Sequence, residues 1–201
     1  MKKGLFVYLA LLCHVSSHSQ NKLLSFETSN QVTSFPLLGF GRVFSAAYHP
    51  GAGIEYQQRL TKKERNQWWF IGSFSGFHHS FFQTAFLINS GISYKYKLTE
   101  LSTFFTGVDG GYLHSFYKYD RFRLQSDGTY EKASIINSRA QFNIGLHIGY
   151  AQDIKPKDPG RFFLFVKLKT FTQGLFAGSY IPIVPYNSFS IGLITSLNSN
   201  K

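Results

Sequence analysis

The chain has 201 residues, a net charge of +11, one cysteine, 22 Phe and 12 Tyr. One thiol excludes disulfides and cysteine metal clusters, and no apolar run beyond the first residues approaches the roughly 18 that a spanning helix needs. Lysines and arginines are scattered along the chain and not gathered on one stripe, which argues against nucleic acid as a partner.

Met1-Lys2-Lys3 is a basic start, followed by an apolar run from Leu5 to Leu12 and then by Ser16, Ser17 and Ser19. This order of basic, apolar and small polar residues predicts a secretory signal peptide. Ser17-His18-Ser19 offers small residues for cleavage, so residues 1–19 are expected to leave and residues 20–201, from Gln20, to form a single domain. Cys13 falls inside the leader. Leu12 before it, where a small residue is wanted, weighs against lipidation. An exported chain does not meet the genome, which removes nucleic acid a second time.

Beyond the leader, alternation dominates. Leu24 and Phe26 oppose Ser25 and Glu27; Ile54, Tyr56 and Leu60 oppose Glu55, Gln57 and Arg59. Trp68, Phe70 and Phe74 oppose Ser73 and Ser75. Phe86, Ile88, Ile92, Tyr94 and Tyr96 oppose Asn89, Gly91, Ser93, Lys95 and Lys97. Phe104, Val108, Tyr112 and Phe116 oppose Gly107, Asp109, Gly111 and Ser115. The clearest run is Gln141–Ala151, where Phe142, Ile144, Leu146, Ile148 and Tyr150 alternate with polar residues and glycine. Leu164, Val166 and Leu168 oppose Lys167 and Lys169, and Phe189, Ile191, Leu193 and Leu197 oppose Ser190, Gly192 and Ser196. Period two means one strand with two unlike faces.

Eight such runs predict an all-β fold, an eight-stranded antiparallel up-and-down transmembrane β-barrel. The connections support it. Long segments from Ser29 to Pro50, Lys118 to Ile136 and Gly174 to Tyr186 alternate with short ones at Thr61 to Asn66, Leu98 to Leu101 and Asp153 to Gly160. The region of His79-Ser80 does not declare its length. A soluble lipocalin-like barrel or a β-sandwich would also alternate. Here, however, the polar face is Gly, Ser and Asn, which suits a narrow lumen, and the apolar face is Phe, Tyr, Ile and Leu, which suits lipid.

With segments such as Gly91-Ile-Ser-Tyr-Lys-Tyr96 and Gly145-Leu-His-Ile-Gly-Tyr150, the chain resembles the small outer-membrane β-barrel proteins of the OmpA/OmpX/OmpW type. The cut after serine and before glutamine suggests a Bacteroidota source. The resemblance implies the outer membrane as location, with outer-membrane lipid and lipopolysaccharide as neighbours and a larger outer-membrane protein complex as a further partner.

In this register the lumen receives Glu27, Glu55, Arg59, Lys95, Asp109, Arg139, His147, Lys167 and Lys169. Paired, these charges plug a barrel whose interior is just filled by side chains; as a ring with excess cations they would favour small anionic solutes in a porin-like channel. His49, His78, His79 and His114 fall near the outer ends of strands, where imidazoles can hold a divalent metal, although the spacing matches no metal motif. The resemblance brings lipid A-modifying enzymes into view, with Ser115 as nucleophile and His114 as base. Adjacent strand residues point to opposite faces, which separates that pair.

Trp68, Trp69 and Phe70, and Phe162 and Phe163, each follow a short turn at the expected inner interface and predict an aromatic girdle. His49-Pro50-Gly51 is expected to turn the chain into the second strand. Nothing in the sequence calls for a cofactor. The function expected is structural, surface-binding or accessory, carried by outward loops such as Lys118 to Ile136 with Tyr117, Tyr119, Asp120, Arg121, Arg123, Asp127 and Glu131. A narrow channel and a lipid-modifying enzyme are the alternatives.

Overall fold

The computed structural model describes residues 22–36, 38–81, 83–118, 122–132, 137–154, 162–174 and 183–197. The expected leader with Cys13 and the cut at Gln20 lie outside the described residues, as do Tyr119, Asp120, Arg121 and the turn Pro159-Gly-Arg161.

The described strands are β1 (Lys22–Thr33), β2 (Pro50–Arg59), β3 (Asn66–His79), β4 (Gln83–Lys97), β5 (Ser102–Tyr117), β6 (Phe122–Leu124), β7 (Tyr130–Lys132), β8 (Ser138–Asp153), β9 (Phe162–Gly174) and β10 (Ile183–Ser196). One short helix, α1 (Arg42–Ser45), lies between β1 and β2. Eight strands close into one barrel in the order β1, β10, β9, β8, β5, β4, β3, β2. Every neighbouring pair is antiparallel, and β10 seals onto β1 from Leu23 opposite Ser196 to Thr33 opposite Tyr186. Closure leaves no free edge.

The strands run past the alternating segments that announce them. β1 continues through Asn30, Gln31, Val32 and Thr33, because the backbone goes on pairing with β10 after the outward face has stopped being apolar. At the end opposite the two termini, β6 and β7 make a separate hairpin within the long connection after β5. Its turn uses Gly128 at φ 82°, a left-handed conformation that glycine adopts freely. The Asp127 carboxylate there accepts hydrogen bonds from Thr129 N (2.9 Å) and Oγ1 (2.7 Å). At the same end β3 and β4 are joined by residues 80–82 alone, so this connection breaks the alternation of long and short.

The barrel wall is apolar outside and polar inside. Phe26, Ile54, Phe74, Ile88, Val108, Ile144, Leu164 and Ile191 are exposed outward. Ser25, Gln57, Asn89, Asp109, Asn143, Lys167 and Ser190 are buried inward. Inward glycines make room for rings. A Cβ on Gly149 would come within 2.3 Å of Phe105, and one on Gly192 within 2.7 Å of Phe165.

The segment carrying α1 folds back on the outside of the β1–β10 seam. Asn30 Nδ2 donates to Val43 O (2.6 Å) while Asn30 Oδ1 accepts from His49 N (2.8 Å). Phe44 tilts against Phe189 with ring centroids 5.1 Å apart, and Asn187 Nδ2 donates to Ser34 Oγ and Phe35 O.

Candidate functional site

Alternation brings the inward residues of all eight barrel strands into one stack, which changes character from end to end. Nearest the termini, Leu23, Trp69, Phe105, Ala151, Phe165 and Ile194 form an apolar ring with Phe163 packed against it. Below this ring the lumen opens as a vestibule of about 710 Å³, whose mouth carries Arg59, Glu64, Arg65, Lys97 and Glu100.

Above the ring lies the charged layer. Lys95 donates to Gln57 Oε1 and sits 4.3 Å from the Trp69 ring centroid. Gln57 Nε2 donates in turn to Glu55 Oε1 at 2.7 Å. Lys167 Nζ is 2.5 Å from Glu27 Oε2 and 3.9 Å from Glu55 Oε2. Farther along, Lys169 Nζ donates to Asp109 Oδ1 at 2.6 Å, and His147 Nδ1 is 3.4 Å from Asp109 Oδ2. Asn89 donates to Asp109 (3.1 Å) and accepts from Asn143 (2.8 Å). Three lysines thus face three carboxylates, and the cavity left at this waist is about 10 Å³. That is room for about one water molecule.

Toward the loop-bearing end the stack becomes neutral. Gln83 Nε2 donates to Gln173 Oε1 (2.8 Å) and to Tyr186 Oη (2.7 Å); Gln173 Nε2 and Ser115 Oγ both donate to Gln141 Oε1 (2.7 Å each). Phe77, Leu87, Leu113, Phe171 and Tyr186 close around these amides. Burial without loss of hydrogen bonds makes this a plug.

Of the expected charge set, Glu27, Glu55, Lys95, Asp109, His147, Lys167 and Lys169 come together in the charged layer. Arg59 lies apart at the terminal rim, where its guanidinium donates to Lys62 O (3.1 Å) and Lys63 O (2.7 Å) and clamps the turn. Arg139 opens β8 at the other rim, opposite Ser115. These two belong to the rims, because the strand ends carry them beyond the waist.

The four histidines do not converge. His49 and His79 stack face to face inside the rim with centroids 3.7 Å apart. His78 and His114 have the opposite strand parity and point outward, His78 beside Thr84 and His114 beside Tyr112. Among the described residues no group of three or more His, Cys, Asp or Glu is placed to hold a metal ion. The expected rim metal site is therefore corrected to an inward pair and two separate outward rings. His49 accepts from Ser80 N (3.4 Å) at Nδ1, and Ser80 Oγ is 3.1 Å from the same nitrogen. Burial, then the charge of His78, holds the His49 imidazole below its ordinary pKa. Ser115 is buried inward, across the wall from His114.

The aromatic cluster also divides. Trp68 faces out and packs on Tyr94 at 5.1 Å, and Phe70 and Phe162 share the outward face. Trp69 is only 3% exposed in the lumen, and Phe163 packs on the inner ring. As girdle residues Trp69 and Phe163 are corrected to lumen residues, because three successive aromatics on a strand cannot share a face. Their parity was visible: Trp69 keeps step with Ser73 and Ser75, and Phe163 with Lys167 and Lys169. The amide plug of Gln83, Gln141 and Gln173 had no comparable signal, since its members lie in three strands distant in sequence.

The class these features define is the closed eight-stranded antiparallel barrel found in outer-membrane proteins. The chain is similar in fold to the crystal structure of Neisserial surface protein A, with a TM-score of 0.60 at 11% identity, over 87% of this chain and 96% of that one. Weaker likenesses include Ail, the attachment invasion locus protein of Yersinia pestis, in complex with the heparin analogue sucrose octasulfate (TM-score 0.44, 13% identity, 88% of this chain and 97% of that one). Another is the N-terminal barrel domain of Pseudomonas aeruginosa OprF (TM-score 0.44, 13% identity, 90% and 100%). No protein-family model and no curated protein matches the sequence.

Proposed function

We propose that the protein is an exported outer-membrane barrel whose task is surface binding or support of a larger outer-membrane assembly, performed by the loops opposite its termini. The observation that carries this reading is the exposure of large apolar side chains on those loops: Phe35 at 79%, Leu38 at 92%, Phe122 at 61% and Tyr130 at 72%. Exposed aromatics on loops held by a rigid scaffold are suited to recognition. The wall below them supplies the membrane seat, with Ile88 59% and Ile144 60% exposed outward and the rings of Trp68, Tyr94 and Phe70 near the terminal end, where an inner-interface girdle belongs. Outer-membrane lipid and lipopolysaccharide are the neighbours that such a wall suits, together with the net charge of +9 left when Lys2 and Lys3 go with the leader, 19 basic against 10 acidic residues. Conduction has no such support, since the waist is filled and its charges are matched.

The test is in-cell photocrosslinking from Leu38, Phe44 and Tyr130, compared with Ile144 and Ile191 on the wall. Protein adducts from the loop positions, with none from the wall, are expected. Adducts equally frequent from both sets, or steady single-channel conductance of the purified barrel in planar bilayers, would overturn the reading.

A further inference from the structure

The lumen has three buried or half-buried lysines near its charged layer, and they are not treated alike. Lys167 and Lys169 each have a carboxylate oxygen within 2.6 Å. Lys95, 6% exposed, has an amide oxygen and the face of Trp69, and is linked to the Glu55 carboxylate only through Gln57. It is also the one of the three that borders the open vestibule.

The vestibule is built for more than water. Its volume of about 710 Å³ lies within the roughly 300–1,000 Å³ usual for small-molecule sites. Its inner wall is apolar, made by Leu23, Trp69, Phe105, Phe163 and Ile194, and Lys95 is the cation among them. A buried ammonium beside an apolar surface is best satisfied by an acid whose body covers that surface, because the charge-assisted bond and the apolar burial then act together.

We infer that the vestibule binds a small amphiphilic acid, a carboxylate or phosphate on an apolar body, with the head at Lys95 and the body against Trp69 and Phe105. The site lies at the opposite end from the loops, so its success or failure is separate from the surface-binding reading.

The chain carries only two tryptophans, one on each side of the wall, which provides both reporter and control. The full-length barrel is placed in phospholipid nanodiscs as Trp68→Phe, leaving Trp69 in the vestibule, and as Trp69→Phe, leaving Trp68 toward lipid. Titration with 11-bromoundecanoate is expected to quench Trp69 saturably and Trp68 only in proportion to the probe partitioned into the bilayer. Lys95→Met in the Trp68→Phe background weakens the saturable phase by about tenfold or more, the loss of one charge-assisted hydrogen bond.

A competition series needs no substitution at the site. Decanoate and decyl phosphate displace the probe from Trp69 while decanol does not, and the tighter of the two acids tells a fatty-acid source from a phosphate-bearing lipid fragment. Equal quenching of both tryptophans, or displacement by decanol as effective as by both acids, overturns the proposal.

Discussion

The two ends of the lumen are lined by the same eight strands at the same period, yet one is shut and the other open. At the loop-bearing end Gln83, Gln141, Gln173 and Tyr186 satisfy one another and are packed in by Phe77, Leu113 and Phe171. At the terminal end the rings of Trp69, Phe105 and Phe163 line a wall that faces a cavity. The difference is one of hydrogen-bonding capacity. Amides both donate and accept, so they link across a narrow barrel; aromatic rings cannot complete such a network, and the space beside them stays unfilled. Closure is therefore a property of side-chain chemistry and not of the barrel wall.

The charged waist separates the two ends, and breaking it has the largest expected effect. Asp109 holds Lys169, His147 and Asn89 together. Asp109→Ala leaves the Lys169 ammonium without its carboxylate and is expected to cost about 3–5 kcal/mol. Urea unfolding of the barrel in lipid vesicles measures it. The joint change Asp109→Leu with Lys169→Met recovers most of the loss, because a matched apolar pair removes both charges. A single variant as stable as the parent would remove the waist from the account.

The closed end comes next. Gln173→Leu strips Gln83 and Gln141 of partners at a site where Gln173 is fully buried, with an expected cost of about 1–3 kcal/mol in the same assay. Placing an apolar group of similar size there without penalty would show that packing alone shuts this end.

How much of this contrast the sequence disclosed follows the same division. The wall was legible because period two is written locally: Phe142, Ile144, Leu146 and Ile148 announce a lipid-like face without help from any other strand. The inward set of Glu27, Glu55, Lys95, Asp109, Lys167 and Lys169 follows from parity alone. What parity cannot give is partnership, so the pairing of Lys167 with Glu27, distant in sequence but adjacent across the barrel, emerges only from closure. Trp69 and Phe163 follow the same parity into the lumen, although each stands beside outward aromatics that mimic a continuous girdle. The hairpin of β6 and β7 was illegible because strands of three residues are too short for a period to show.

At the open end, by contrast, substitution is expected to matter little for stability. Lys95→Met removes a cation–π contact and the bond to Gln57 but also relieves a buried charge of its desolvation, so the net change is expected to be below about 1 kcal/mol. A loss as large as that at Asp109 would mean that the vestibule wall is structural and would erase the contrast between the ends.

The smallest effect belongs to the rim beyond the plug, and its sign follows from His49. Burial and the neighbouring charge of His78 hold its folded pKa below the ordinary value of 6.5. The unfolded chain therefore binds a proton at a higher pH than the folded one, and stability rises with pH across that interval. The contribution is complete above pH 6.5 and is lost as the pH falls through the depressed folded value. The structural reason is local: Nδ1 accepts from Ser80 N and cannot do so once protonated, and a charge on the ring would also stand 3.7 Å from His79. Protection from hydrogen exchange at the Gln31 and Ser80 amides, which bond to the His49 carbonyl and ring, is expected to fall at low pH once the intrinsic slowing of exchange is divided out. His49→Gln flattens that dependence. Protection at Gln31 and Ser80 that stays level as the pH drops would show that the rim is held by its backbone pairing and not by the imidazole stack.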